Sequence, residues 1–208
     1  MFARLGIALL CAGTPALPAL AADREPENGW DASARLGASF MQEGLSAYPN
    51  QERPPYRFAY HDSTAWSVAG AYRFLPRWRA ELELAWRSHR TADNVTGRLD
   101  TIALIGNVYF DLPRRGSWTP YLGAGIGNAW IKLRDYRVDD APLVDNRARA
   151  LAWQWTGGVR YDIAERWQLT LDYRRFVTTD PLVTDRAGDI LETSVRSRAV
   201  MLGIARQL

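Results

Sequence analysis

Cysteine, lysine and long apolar runs are nearly missing from this sequence. Cys11 is the single cysteine and Lys132 the single lysine. Cys11 falls within residues 1–22, which read as a secretory signal. Arg4 supplies the charge, Leu5 to Leu10 begins the apolar core, and Ala19-Leu-Ala21 offers the small residues that a signal peptidase accepts. Gly13, Pro15 and Pro18 interrupt the apolar run, which is too short to persist as a membrane helix, so cleavage is expected after Ala21 or Ala22. A lipoprotein site would want leucine three residues before Cys11, where Ala8 stands. The mature chain, residues 23–208, then has no thiol, which excludes structural disulfides and any cysteine-based metal or catalytic site.

With lysine nearly gone, positive charge means arginine. The formal net charge is +3, and one of those charges, Arg4, leaves with the leader. A balance this close to neutral, without a basic tail, excludes nucleic acid as the main partner. What remains fits one domain. Nine tryptophans without one long apolar run are unusual for a soluble protein and expected where rings sit at a membrane interface.

What the sequence does have is alternation, most plainly over Thr119–Trp130. Leu122, Ala124, Ile126 and Trp130 fall on one face, and Tyr121, Gly123, Gly125 and Gly127 on the other, a separation that only a strand produces. An apolar outer face over an almost side-chain-free inner face suits a small closed barrel, in which the glycines leave room for long side chains arriving from across the lumen. The same period of two recurs over residues 30–40, 66–74, 78–87, 101–111, 151–162, 167–174 and 197–205. Short turns at 75–77, 112–117 and 164–166 alternate with long loops at 42–64, 93–97, 134–147 and 178–192. Turns on one side and loops on the other are expected of an outer-membrane barrel, with turns in the periplasm and loops outside the cell. The fold class is therefore all-β: an eight-stranded antiparallel up-and-down transmembrane β-barrel filling residues 23–208.

The faces separate a membrane barrel from a soluble one. Arg35, Arg73, Glu81, Glu83, Arg160, Asp162, Asp172 and Arg174 share the face opposite the apolar residues, so they must line the interior. Outward rings gather at strand ends. Trp30, Phe74, Trp78, Phe110, Trp118, Tyr161 and Trp167 lie beside the short turns, and Phe40, Trp66, Trp86, Trp130, Trp153, Trp155 and Tyr173 beside the long loops. Trp78 and Trp86 are separated by roughly 26 Å of strand, or about 20 Å of height once tilted, close to the thickness of the apolar band.

Asn107-Val-Tyr-Phe-Asp111, the turn Pro113-Arg-Arg-Gly116, Pro120-Tyr-Leu-Gly-Ala-Gly-Ile-Gly127 and the terminal Val200-Met-Leu-Gly-Ile-Ala-Arg-Gln-Leu208 together resemble the small eight-stranded outer-membrane proteins of the OmpA-like and opacity type, often called porin-family. The resemblance covers essentially the whole mature chain. It implies an integral protein of the bacterial outer membrane, a monomer placed there by the barrel assembly machinery, with no cofactor. Its role would be structural or surface-interacting, such as membrane integrity or adhesion through a host or matrix ligand. One departure stands out. The family ends in phenylalanine with an aromatic two residues earlier, where this chain has Leu208 and Arg206. Recognition by the assembly machinery is then either weaker or shifted onto Leu202 and Ile204.

Candidate chemistry is sparse. His61-Asp62-Ser63 invites comparison with lipid A deacylases and acyltransferases, but the motif around those catalytic residues is missing, and a solvated loop is the expectation. His89 faces inward near Arg87 and reads as a hydrogen-bonding group at the barrel mouth. Glu81 and Glu83 could be a paired-carboxylate or metal site. With Arg35, Arg73, Arg79, Arg160 and Arg174 on the same lumen, an ion-pair network is expected instead. An enzyme is not expected, and because side chains fill an eight-stranded barrel, a wide channel is not expected either; a narrow channel is the alternative. Extending the outward faces beyond the outer rings brings up Arg90, Arg98, Arg149, Arg175, Arg196 and Arg198. These are candidate lipopolysaccharide contacts, since arginine binds phosphate as a planar fork. Pairing with Asp93 or Glu192, or extension into water, is the competing expectation.

Overall fold

Strands with apolar residues on one face and charges on the other cannot lie open in a bilayer. They close, so that the charged face is shared inside and no edge is left unpaired. The computed structural model, which describes residues 29–42, 44–47, 56–58, 61–91, 95–138, 141–179, 182–184, 190–193 and 195–208, shows this closure. The strands are β1 (Gly29–Met41), β2 (Gly44–Ala47), β3 (Tyr56–Phe58), β4 (Ser63–Leu75), β5 (Trp78–Arg90), β6 (Val95–Asp111), β7 (Trp118–Val138), β8 (Ala141–Ala164), β9 (Trp167–Thr178), β10 (Leu182–Thr184), β11 (Ile190–Thr193) and β12 (Arg196–Gln207). Eight of them form the barrel in the order β1-β12-β9-β8-β7-β6-β5-β4, and β4 pairs back onto β1, every pairing antiparallel. Among the described residues there is no helix. Residues 1–22, expected to be a secretory signal, lie outside the described residues.

The expected long loops need correction. The loop expected at 134–147 is instead strand: β7 runs to Val138 and β8 starts at Ala141, giving strands of 21 and 24 residues. About 9 to 11 residues suffice to cross the apolar core, so this hairpin continues well beyond it. The expected loop at 93–97 likewise contracts, because β6 already begins at Val95. The loops expected at 42–64 and 178–192 contain β2, β3, β10 and β11, which join in a second sheet ordered β10-β11-β2-β3. Alternation marks a strand only where its two faces meet different solvents. Beyond the bilayer that contrast is not required, and charged residues such as the exposed Arg134 interrupt the pattern.

The short turns stand as expected. In Pro113-Arg-Arg-Gly116, Arg115 and Trp118 exchange backbone hydrogen bonds of 2.9 and 3.1 Å around a two-residue loop. Gly116 there has φ 60°, a left-handed conformation that a side chain would strain. The inner glycines of β7 make room as anticipated, but for a neighbour rather than for side chains from across the lumen. Tyr109 of β6, paired with Gly123, lays its ring where a Cβ on Gly123 would be, and Asn107, paired with Gly125, does the same one rung higher.

The lumen has two storeys. Toward the short turns it is ionic. Toward the opposite end an apolar cluster of Leu99, Ile105, Ile131, Phe176 and Val195 packs among alanines, with the buried Arg87 against Phe176.

Candidate functional site

Inward positions on neighbouring strands bring four buried carboxylates into one lattice with arginines. Asp111, at the foot of β6, is the hub nearest the turns. Arg73 Nη1 donates to its Oδ2 at 2.7 Å, Arg160 Nη2 to its Oδ1 at 2.8 Å, and Arg79 Nε lies 3.4 Å from Oδ1. One rung up, Glu81 accepts from Arg35 Nη2 at 2.6 Å, from Tyr109 OH at 3.1 Å and from Asn107 Nδ2 at 3.3 Å. Glu83 accepts from Arg174 Nη1, from Gln154 Nε2 at 2.7 Å and from Asn107 Nδ2 at 3.1 Å. Asp172 closes the lattice: Arg174 Nη2 donates at 2.7 Å, Arg35 Nε lies at 3.3 Å, and Tyr121 OH donates to its other oxygen. The Arg79 guanidinium lies 4.2 Å from the Tyr109 ring centre and 4.8 Å from that of Tyr121. The expected network is therefore present, and Glu81 and Glu83 belong to it. Each carboxylate is held by cations and amides that satisfy its oxygens, the condition for burying charge without prohibitive cost.

Above the lattice the pairing stops. Arg87 is buried, and its guanidinium sits 4.2 Å from the Phe176 ring centre; Nε and Nη1 have no hydrogen-bond partner. His89 Nε2 lies 3.1 Å from Ser39 Oγ, which fits the hydrogen bond anticipated for it at the mouth.

His61-Asp62-Ser63 is not a loop throughout. Ser63 begins β4, and the His61 N–H donates to the Arg90 carbonyl at 2.9 Å, fastening the segment beside β5. His61 and Asp62 are exposed, and no hydrogen bond joins the His61 ring to Ser63 Oγ, so the pair is not arranged as base and nucleophile.

The outside carries two belts of rings. Near the turns, Trp30 meets Tyr72 at 5.0 Å, Trp78 meets Phe110 at 4.9 Å and Trp118 meets Tyr161 at 4.5 Å between ring centres. At the other end Trp66 meets Trp86 at 6.1 Å. Beyond this outer belt Arg90, Arg98, Arg149, Arg175, Arg196 and Arg198 all point outward and are exposed. Register brings four of them together in twos: Arg90 is directly opposite Arg98, and Arg175 directly opposite Arg198. Arg98 also faces Arg134 of β7, whose Nε lies 3.2 Å from Asp100 Oδ2. Arg149 sits 5.5 Å from the Trp130 ring centre. Of the carboxylates expected to compete for these arginines, Asp93 lies outside the described residues. A groove of about 470 Å³ opens between Trp86, Arg90, Arg98, His61 and Asp62.

Residues 7–202 match the outer membrane protein beta-barrel domain family. The chain belongs to that family. It is accordingly a protein of the bacterial outer membrane. Among solved structures, this family member is similar to Neisserial surface protein A (TM-score 0.56, 13% identity, 85% of this chain and 97% of that one). It is also similar to the outer membrane protein AlkL (TM-score 0.56, 18% identity, 94% and 97%) and to OprG of Pseudomonas aeruginosa (TM-score 0.54, 15% identity, 89% and 99%). At these identities the likeness shows the fold alone. Uncharacterized proteins of Brucella abortus and Brucella suis are 28% identical over 189 residues, a match covering 70% of this chain. The chain spans 66% of the length of those curated relatives.

Proposed function

We propose that this barrel is a monomeric, non-enzymatic surface protein whose work is done outside the cell, in membrane integrity or adhesion, and not through its lumen. The observation that carries this reading is the pairing of a stoppered interior with a folded exterior. The ionic lattice from Asp111 to Glu83 fills the lower lumen, the Leu99–Phe176 cluster fills the upper, and the segments β2, β3, β10 and β11 form a sheet instead of slack connections. A paired sheet presents a fixed surface, which suits contact with a ligand, a matrix or a neighbouring cell.

The test compares three strains: one lacking the protein, one complemented with the full chain, and one complemented with a chain whose residues 43–60 and 181–193 are replaced by short turns. Adhesion to host cells and matrix is measured beside sensitivity to detergent and to large antibiotics. Restoration of adhesion by the full chain alone supports an adhesive role. Restoration of the permeability barrier by both chains supports a structural one. Strains that differ in neither property contradict both.

A further inference from the structure

Two like charges directly opposite each other on adjacent strands repel. On its outer surface this barrel does so at two sites on opposite sides of its circumference, and at the first of them Arg98 also faces Arg134. Arg90 faces Arg98 across β5 and β6, and Arg198 faces Arg175 across β12 and β9, with two strands between the sites in either direction round the barrel. Among the described residues none of these four arginines is in an ion pair. Their height is also fixed. Arg90 stands four residues above Trp86, roughly 13 Å of strand or about 10 Å of height beyond the ring belt. Arg175 and Arg198 stand two residues beyond Tyr173 and Val200. That is the level of headgroups, where a cation next to lipid costs little.

We propose that Arg90 and Arg98 form a binding site for a phosphate of the glycolipid in the outer leaflet, and that Arg175 and Arg198 form a second one on the far side. Two guanidinium forks from adjacent strands can take one phosphate between them, each with paired N–H donors, and the bound anion converts their repulsion into attraction to a shared centre. At the first site the groove supplies the rest. Trp86, an outward ring of the outer belt, lines the groove together with both arginines and supplies its apolar part. Asp62, also on its wall, offsets part of the positive charge. Arg134 is already engaged by Asp100, which leaves the Arg90–Arg98 pair as the cations available there.

This inference rests on the reading that the outer ends face the cell exterior. The mature protein is purified into detergent micelles, and its thermal unfolding is followed alone, with lipopolysaccharide, with lipopolysaccharide stripped of phosphate, and with millimolar inorganic phosphate. Wild type should gain several degrees from intact lipopolysaccharide and little from the stripped form or from free phosphate. R90Q/R98Q should unfold at the same or a higher temperature without lipid, because the repulsion is gone, yet keep less than half of the lipid-induced gain. R175Q/R198Q should behave alike, and the fourfold variant should lose nearly all of it. R90K/R98K, which keeps charge without the fork, should fall between. Equal gain in wild type and the fourfold variant, or a gain that survives removal of phosphate, overturns the proposal. So does full reproduction of the gain by free phosphate, which would make the site one for soluble anions. Orientation is checked separately: because the mature chain has no native thiol, S117C should resist an impermeant maleimide on intact cells. Labelling there would overturn the orientation and leave the micelle result to stand by itself.

Discussion

The Arg87 guanidinium rests 4.2 Å from the centre of the Phe176 ring, with two of its nitrogens lacking any hydrogen-bond partner. Among the described residues every other buried arginine of the lumen reaches a carboxylate: Arg35, Arg73, Arg79, Arg160 and Arg174 each do so within 3.4 Å. The ring face offsets some of the desolvation, by about 2 kcal/mol, against the several kcal/mol that burial of an unpaired ion costs. Arg87→Met should therefore raise stability in micelles, on the order of 1–3 kcal/mol. Chemical denaturation of wild type and variant measures it; a loss of stability would show that Arg87 has a partner that the geometry does not reveal.

Glu83 presents the opposite case. Its two oxygens accept from Arg174, Gln154 and Asn107, so Glu83→Gln leaves Arg174 with Asp172 alone in a buried setting. The expected loss is about 3–5 kcal/mol, with Glu81→Gln similar because Arg35 and Arg79 both lean on it. Pairing Glu83→Gln with Arg174→Gln should recover part of that loss. A double-mutant cycle with no coupling between the two positions would remove the lattice as a source of stability.

Asp111 gathers three arginines on one carboxylate. Asp111→Asn should cost more than any single partner change, because it leaves Arg73 and Arg160 without their carboxylate and Arg79 with Glu81 alone, whereas Arg73→Gln leaves Asp111 with two arginines. Thermal unfolding of the four single variants in the same detergent checks the ranking; a neutral Asp111→Asn would contradict it.

A methyl group on Gly123 would run into the Tyr109 ring. Gly123→Ala should cost about 1–3 kcal/mol by overpacking, and the penalty should vanish when Tyr109 is replaced by valine. If it persists in that background, the constraint lies in the backbone and not in the ring.

How much of this was legible beforehand follows from solvent. Inside the bilayer one face of each strand meets lipid and the other meets charge, so Trp78, Ala80, Leu82 and Leu84 against Arg79, Glu81 and Glu83 disclose strand, face and membrane together. The inward set and the outward direction of the six arginines follow from that same parity. Where both faces meet water the contrast is lost. The β7–β8 extension and the sheet of β2, β3, β10 and β11 therefore looked like loop. Pairing is a further step. Arg90 opposes Arg98 only through the register of β5 on β6, and Asp111 becomes a hub only because β4, β5 and β8 bring their arginines to its level. Strand parity gives direction; register, which depends on turn lengths, gives neighbours.

With its lumen filled from Asp111 to Phe176, a barrel that acts from its surface should not conduct ions. The most direct test is conductance of the purified, refolded barrel in planar bilayers. A closed lumen predicts insertion without discrete current steps in wild type, with steps appearing only when both plugs are opened, by Glu81→Ala, Glu83→Ala and Arg174→Ala together with Leu99→Ala and Phe176→Ala. Reproducible single-channel steps in the wild-type protein would contradict it.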